Sequence, residues 1–160
     1  MYEYPVMLTF YEGLFIRVIA CPDIPELIGD EDEDDSITGE TISETLEAAA
    51  QRLAQVLNDY VEQRHPIPLA SVPAKNQYSL HLPIVMVARI TLWNSLLELG
   101  LREIDWCRHL NINLSVVRRL LDFQHPCTIE QLEQVLCSMG KRLVVAVESI
   151  EIFSEWPDDE

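Results

Sequence analysis

The sequence lacks several features that would mark membrane or secreted proteins. No apolar run approaches the roughly 20 residues needed to span a bilayer, and the start, Met-Tyr-Glu-Tyr-Pro, has no basic stretch followed by the apolar core of a signal peptide. There is no Cys-x-x-Cys pair, and the four cysteines are scattered, which is typical of reduced, mostly buried thiols. We therefore expect a soluble, cytosolic protein. The cysteines are Cys21, Cys107, Cys127 and Cys137.

Basic residues are also few, and they are unevenly distributed. The chain has 11 Lys and Arg against 27 Asp and Glu, a net charge of −16. Residues 1–87 carry 4 basic and 15 acidic residues (net −11), residues 88–147 carry 7 and 6 (net +1), and residues 148–160 carry 0 and 6 (net −6). Because acidic surfaces repel nucleic-acid phosphates, only the middle segment is suited to contact DNA.

The first half of the chain has the pattern of a small α+β unit. Period-two alternation over residues 4–20, with a turn at Glu12-Gly13, predicts a strand pair. Six consecutive acidic residues at 30–35 predict a solvated loop. Thr41 and Glu44 match a capping box, and the helix after them should end before Pro66. Residues 66–76 are linker-like, and residues 78–85 predict an edge strand because Pro83 interrupts them.

From Val87 onward the apolar period becomes helical. It predicts one helix that ends at Gly100 and three shorter helices at about 102–110, 114–122 and 128–139. The β-branched residues between Arg142 and Val147 predict a terminal strand that could pair between subunits. The sequence thus divides into an acidic domain at 1–85, a helical domain at 86–147 and an acidic tail at 148–160.

The segment Trp106-Cys107-x-x-Leu110-Asn111-Ile112-Asn113-x-x-x-Val117 matches the requirements of a helix-turn-helix. That motif needs a small residue where the helices cross, a residue that tolerates positive φ at the turn, and an apolar anchor in the second helix. Cys107, Asn111 and Val117 fill these positions, and asparagine is well suited to the left-handed conformation. Asn113 stands where a cap for the second helix is expected.

The second helix of this motif would be the recognition helix. Its outward and N-terminal side chains enter the major groove in such proteins, where arginine pairs bidentately with guanine. We therefore predict that Asn113, Ser115, Arg118 and Arg119 contact DNA. The alternative is a plain helical bundle with a solvated Arg-Arg pair.

Further short segments, taken in order, resemble the HicB antitoxin family of bacterial toxin–antitoxin systems. The resemblance covers about residues 2–147. Each segment is weakly specific alone, but their order and spacing are specific together. They are Tyr4-Pro5-Val6, Cys21-Pro22-Asp23-Ile24-Pro25-Glu26, Gly39-Glu40-Thr41, Glu44 to Ala48, Ile67-Pro68, Leu92-Trp93-Asn94, the turn described above, Arg119-Leu120-Leu121-Asp122 with His125, and Leu136 with Met139-Gly140-Lys141-Arg142-Leu143.

This resemblance implies a fold, partners and an activity. It implies an N-terminal domain like a degenerate ribonuclease H, which binds and blocks a small basic HicA toxin that cleaves mRNA. It also implies a C-terminal DNA-binding domain that represses its own operon as a dimer or larger oligomer. The chain departs from the family pattern in its acidic insertion at 30–35, which is usually solvated but could mimic RNA phosphates, and in its acidic tail.

Three other interpretations compete with this one. An active nuclease needs carboxylates that converge on Mg²⁺, but Glu3, Glu12 and Asp23 form no spaced constellation, so we expect no enzyme activity. The four histidines share no ligand spacing, so we expect neither a metal nor another cofactor. A repressor whose first domain senses a small ligand, without a toxin partner, remains the alternative function.

Overall fold

A computed structural model describes residues 3–29 and 36–149 and shows an α+β fold. Within those ranges, four antiparallel strands form one sheet and five α-helices follow or cover it. The strands lie in the order β3-β2-β1-β4. The acidic run at 30–35 and tail residues 150–160 lie outside the described residues. The elements are β1 (Glu3–Tyr11), β2 (Phe15–Ala20), β3 (Thr38–Gly39), α1 (Ile42–Glu62), β4 (Tyr78–His81), α2 (Ile84–Glu98), α3 (Glu103–Leu110), α4 (Leu114–Leu121) and α5 (Ile129–Ser138).

The predicted strand pair is confirmed as the hairpin β1–β2. Its register pairs Tyr11 with Phe15, and Gly13 takes a positive φ of 70° in the turn between them. Only the base of the hairpin is buried: Val6 and Val18 are 0% and 1% exposed, whereas the side chains near the turn lie on the surface. The alternation therefore predicted the strands correctly, and the apolar side chains near the turn are left exposed.

Helix α1 begins and ends where the sequence predicts. The Thr41 hydroxyl accepts a hydrogen bond from the Glu44 backbone N–H at 3.1 Å, and the Glu44 carboxylate accepts one from the Glu40 N–H at 3.1 Å. Just before the cap, Gly39 packs against Thr45 so closely that a Cβ at Gly39 would lie 2.7 Å from the Thr45 backbone nitrogen. Glycine is therefore required at this position by close backbone approach.

Strand β4 lies at the edge of the sheet, as its proline predicts. The helix after it begins at Ile84, three residues before the predicted start at Val87. Pro83 occupies the N-cap position of α2, where the missing proline N–H needs no partner. The proline thus ends the strand and also starts the helix.

Helix α2 contacts the linker that precedes β4. The Asn94 side chain accepts from the Ile67 N–H and donates to the Ile67 carbonyl, both at 2.9 Å, and the Trp93 indole N–H donates to the His65 carbonyl at 2.8 Å. The linker is also tied to the other side of the fold, because the Asp23 carboxylate accepts two hydrogen bonds from Ser71. One buried cluster includes residues from the sheet, from α1 and from all four later helices.

The predicted terminal strand is wrong for this isolated chain. Residues 141–149 are described but form no strand. A β-strand needs a hydrogen-bonding neighbour, and within the described residues every strand pairing lies in the sheet of β1 to β4. The segment from Arg142 to Val147 therefore has the composition of a strand but no neighbouring strand to pair with.

Helix α2 has apolar side chains on several sides, and it is therefore mostly buried. Ala88, Ile90, Leu92 and Leu96 are all at most 2% exposed. Within the described ranges, none of the helices combines the length and the apolar composition that a membrane span requires. Helices α2 and α3 reach that length and composition only together, and the chain bends by 99° between them.

Candidate nucleic-acid interface

Helices α3 and α4 are joined by a tight turn with the predicted backbone conformation. Asn111 lies in the left-handed region, with φ 52° and ψ 45°. The Cys107 carbonyl accepts from the backbone N–H groups of both Asn111 and Ile112, which closes the end of α3. Cys107 is buried where the two helices meet, as expected of the small residue in this motif. We call residues 103–121 the α3–α4 unit.

Helix α4 separates a buried side from an exposed side. Val117, Leu120 and Leu121 are at most 4% exposed and face the core. All four side chains that the sequence assigns to DNA are exposed, three of them on α4 itself and one at the residue just before it. These four are Asn113, Ser115, Arg118 and Arg119.

The four predicted residues do not occupy equivalent positions. At about 100° per residue, Ser115 and Arg119 lie one turn apart and roughly opposite Val117. The Arg118 side chain lies to one flank, where its Nε is 3.7 Å from a carboxylate oxygen of Glu103 on α3. Arg119 therefore lies at the centre of the exposed face, whereas the positive charge of Arg118 is close to the negative charge of Glu103.

Asn113 is the N-cap of α4 by position but not by hydrogen bonding. Its backbone is extended (φ −73°, ψ 145°), as an N-cap requires, yet its side chain makes no capping hydrogen bond. The capping prediction is therefore right for the backbone and wrong for the side chain. The amide group stays on the surface at the N-terminus of the helix.

Arg89 fixes the other end of α4, a role that the sequence patterns did not predict. Its guanidinium is buried (3% exposed); Nε donates to the Leu120 carbonyl at 3.1 Å, and Nη2 donates to the carbonyls of Arg119 and His125. A positive charge at the C-terminus of a helix is favourable because the free carbonyls there carry partial negative charge. The signal in the sequence for this role was a single charged residue, Arg89, within the otherwise apolar run of α2.

Helix α1 also holds the end of α4. The Asn58 amide donates to the Asp122 carboxylate and accepts from the Phe123 N–H, both at 2.9 Å. Burial opposes ionisation of Asp122, but hydrogen bonds from the Gln124 N–H and from Asn58, together with the charge of Arg89, outweigh it and lower the pKa of the carboxyl. The exposed face of α4 is thus positioned by both α1 and α2.

The acidic residues considered for nuclease chemistry lie apart. The Glu3 carboxylate on β1 lies 3.2 Å from Nδ1 of His81 on the edge strand β4. Glu12 lies in the hairpin turn, and the Asp23 carboxylate accepts a hydrogen bond from the Ser71 N–H. In residues 3–29 and 36–149 no group of three or more His, Cys, Asp or Glu side chains has metal-binding geometry.

The cysteines are free thiols with different exposure. Cys21 and Cys107 are buried, Cys127 is half-buried and Cys137 is exposed. Burial is the main cause that raises the pKa of the Cys21 thiol, which disfavours the reactive thiolate. The expectation of mostly buried thiols therefore holds for the first two but not for Cys137.

Comparison with known proteins identifies the family. Residues 3–91 match the model of the HicB-like antitoxins of bacterial toxin–antitoxin systems, which is more than half of the chain. The chain belongs to the HicB-like antitoxin family. The predicted resemblance is therefore confirmed. The match includes the sheet, α1 and the linker, together with the first half of α2.

Individual relatives extend this likeness beyond the matched region. The chain is 32% identical over 132 residues to an antitoxin HicB of Pseudomonas fluorescens (strain Pf0-1), which covers 82% of this chain and 85% of that protein. It is 26% identical over 142 residues to an antitoxin HicB of Escherichia coli (strain K12), covering 88% and 96%. Residues 1–91 supply at most 91 of the 132 positions, so at least 41 lie after residue 91. The likeness therefore reaches into the helical half that contains the α3–α4 unit.

Proposed function

We propose that this HicB-like chain is a bifunctional cytosolic regulator. Its acidic domain, residues 1–85, binds and blocks a small basic HicA-type toxin that cleaves mRNA. Its helical domain, residues 86–147, is a helix-turn-helix domain that represses the operon encoding both proteins. The observation that carries the DNA-binding half is the exposure of four polar or basic side chains on α4 and at its N-cap, namely Asn113, Ser115, Arg118 and Arg119.

The turn geometry supports a helix-turn-helix assignment. The left-handed Asn111, the buried Cys107 at the helix crossing and the fully buried Val117 are the features that such a motif needs. Contacts from α1 and α2 hold α4 in a fixed orientation. A recognition helix needs a fixed orientation, because its side chains must reach particular base edges while phosphate contacts set the position of the protein on the duplex. Sequence-specific operator binding is the function that fits this surface.

The charge distribution and the family support the toxin-binding half. Residues 1–87 carry a net charge of −11, which complements a small basic protein and speeds association with it. The resemblance implies that this sheet and helix are a degenerate ribonuclease H fold. We assign this domain a role in binding the toxin.

Self-association completes the proposal. Two copies related by a two-fold axis would present two α4 helices to half-sites of a palindrome about one helical turn apart. A homodimer, or a tetramer made of two such dimers, would therefore bind its operator more tightly than a monomer, because the second contact becomes intramolecular.

Growth rescue in a bacterial host tests the proposal. The HicA-type gene adjacent to this one is expressed alone, with the wild-type chain, or with the Arg118→Ala/Arg119→Ala variant. Rescue by both forms is expected, since toxin binding uses the other domain, whereas only the wild type should bind the operator in a gel-shift assay. Lys75→Ala, which removes an exposed positive charge far from α4 in sequence, is the matched control.

Two outcomes would contradict the proposal. Absence of toxicity or of rescue would reject the antitoxin half and favour a ligand-sensing repressor without a toxin partner. Unchanged operator affinity in the double variant would reject the assignment of Arg118 and Arg119 as DNA contacts.

A further inference from the structure

An apolar groove lies between the α3–α4 unit and α5, and it encloses about 280 Å³. Its lining residues come from the turn, from α4 and from α5, and include Leu110, Ile112, Val116, Gln131, Gln134 and Ser138. The described residues that line it carry no charge. Val116 is 39% exposed in this groove although its side chain is apolar. We call it the α4–α5 groove, and its lining suits an occupant with apolar or aromatic side chains.

A positive charge lies at one edge of this groove. At about 100° per residue, Arg119 lies about 60° from Val116 around α4, whereas Arg118 lies about 160° away on the other flank. Arg119 is exposed, and none of the ion pairs formed between described residues involves it. An occupant that combines apolar side chains with carboxylates therefore complements both the groove and its edge.

Residues 150–160 of this chain have that chemistry, and we call them the tail segment. They read Ile-Glu-Ile-Phe-Ser-Glu-Trp-Pro-Asp-Asp-Glu, with five carboxylates and no Lys or Arg. Phe153 and Trp156 are three residues apart, a spacing at which two side chains can share one face of a helical turn. Short segments that bind apolar grooves use anchors at this spacing. The tail segment thus offers two aromatic anchors with carboxylates on either side of each.

The tail segment is within reach of the groove. Ser138, the last residue of α5, lines the groove, and Leu143 packs against the core just after that helix. The roughly 10 residues from Leu143 to Phe153 span up to about 33 Å when extended, whereas α5 is only about 15 Å long. The chain can therefore turn back along α5 without a movement of any helix.

We propose that the tail segment binds in the α4–α5 groove of its own chain and competes with DNA for α4. Phe153 and Trp156 contact the apolar lining, and the neighbouring carboxylates lie beside Arg119. This inference rests on the DNA-binding half of the proposed function and adds a regulation of the same surface. The bound tail segment lowers operator affinity in two ways, because it occupies Arg119 and because its negative charge repels the approaching phosphates.

A weak contact is enough for this competition. Because the tail segment is linked to α5 by about 10 residues, its effective concentration at the groove is roughly millimolar. Operator DNA displaces the segment when the DNA contacts are the stronger ones. The segment therefore weakens non-specific contacts, which are the weaker ones, more completely than operator contacts.

Fluorescence quenching tests the docking without DNA. Trp93 and Trp106 are each 1% exposed, so the neutral quencher acrylamide reports mainly on Trp156 in the full-length chain. Trp156 should be protected in the wild type. Val116→Asp, which places a carboxylate in the groove, should make it as accessible as in a peptide of residues 150–160. Val72→Asp, at a site that is 91% exposed and outside the groove, is the matched control and should leave it protected.

A second groove variant guards against a loss of folding. Gln134→Glu changes an exposed side chain of the same groove with little change in shape, and it should also release Trp156. Trp156 that is accessible in the wild type would refute the docking. Protection that disappears on dilution would assign the groove to a second copy and would equally contradict a contact within one chain.

Operator binding tests the competition. In fluorescence anisotropy, a chain that ends at Ser149 should bind operator DNA about 10-fold more tightly than the full-length chain at low salt, and this gain should shrink as salt rises. Phe153→Ala/Trp156→Ala keeps all five carboxylates and should recover most of the gain. Ser154→Ala keeps every charge and both anchors, so it is the matched control and should bind as the wild type does.

The remaining outcomes separate this inference from the proposed function. If the shortened chain binds more tightly but the Phe153/Trp156 variant behaves as the wild type, the tail segment acts by charge repulsion alone and the docking is wrong. If neither the shortened nor the full-length chain binds the operator, the DNA-binding half of the proposed function is wrong, whereas the quenching of Trp156 still decides whether the tail segment docks.

Discussion

The guanidinium of Arg89 donates through Nε to the carbonyl oxygen of Leu120 at 3.1 Å, so the middle of α2 closes the C-terminus of α4. Arg89 is 3% exposed, and two further carbonyls accept from its Nη2. Because α2 also holds the linker through Asn94 and Trp93, one helix connects the acidic domain to the proposed recognition helix. The orientation of α4 therefore depends on a residue that lies outside the α3–α4 unit.

Arg89→Met should destabilise the chain strongly. The substitution leaves buried carbonyl oxygens of α4 without donors, and we expect the free energy of unfolding to fall by about 3 kcal/mol. Urea unfolding followed by circular dichroism measures it. Arg108→Met removes an exposed arginine from α3 and is the matched control. Equal losses in the two variants would show that the Arg89 hydrogen bonds contribute little.

Asn111 should tolerate glycine but not a β-branched residue. Its φ of 52° is strained for most L-residues, so Asn111→Val should lower the free energy of unfolding by about 1–2 kcal/mol, whereas Asn111→Gly should change it by only a few tenths. Thermal unfolding of the two variants provides the comparison. A valine variant as stable as the glycine variant would contradict the left-handed turn.

Asp122 should make stability depend on pH in the acid range. Its pKa in the folded chain is lowered below the usual 3.8, so the ionised carboxylate stabilises the fold above that value, and this contribution is lost as the pH falls through the lowered pKa. Asp122→Asn should therefore be less stable than the wild type at pH 7, and the difference should shrink toward pH 3. Urea unfolding at a series of pH values measures the difference. A difference that stays constant with pH would argue against a lowered pKa.

Arg119 should contribute more to operator binding than Arg118. Arg119 is centred on the exposed face of α4, whereas Arg118 is partly neutralised by Glu103 at 3.7 Å. Arg119→Ala should weaken binding by about 10-fold or more if it contacts a base, at any salt concentration. If either arginine binds a phosphate instead, its removal should reduce the slope of log affinity against log salt by about 1. Fluorescence anisotropy over a salt series separates the two, and a larger effect of Arg118→Ala would reverse the assignment.

A fragment that ends after α2 should fold better than one that ends at the predicted domain boundary. Residues 1–85 lack Trp93 and Asn94, which bond the linker at His65 and Ile67, whereas residues 1–100 retain both. We expect the longer fragment to unfold at a higher temperature and to bind the toxin at least as tightly. Calorimetry with and without toxin tests both points. Equal melting temperatures would indicate that the acidic domain is independent of α2.

The sequence alone determined most of the local structure, because local structure follows from signals between near neighbours. Alternation predicted the β1–β2 pair, the Thr41–Glu44 cap predicted the start of α1, and Asn111 predicted the turn between α3 and α4. The sequence also predicted the candidate DNA-binding surface, because helical periodicity places Ser115 and Arg119 on one face of α4 independently of the rest of the fold. The order of its short motifs was enough to recognise the family.

Only the tertiary structure decided which distant residues support that surface. Arg89 and Asn58 lie 31 and 64 residues from their partners on and after α4, and no periodic pattern links residues so far apart. Tertiary structure also decided that residues 142–147 form no strand in a single chain, because strand formation requires a neighbour as well as a β-branched composition. Propensity is a property of a segment, whereas pairing and burial belong to the whole fold.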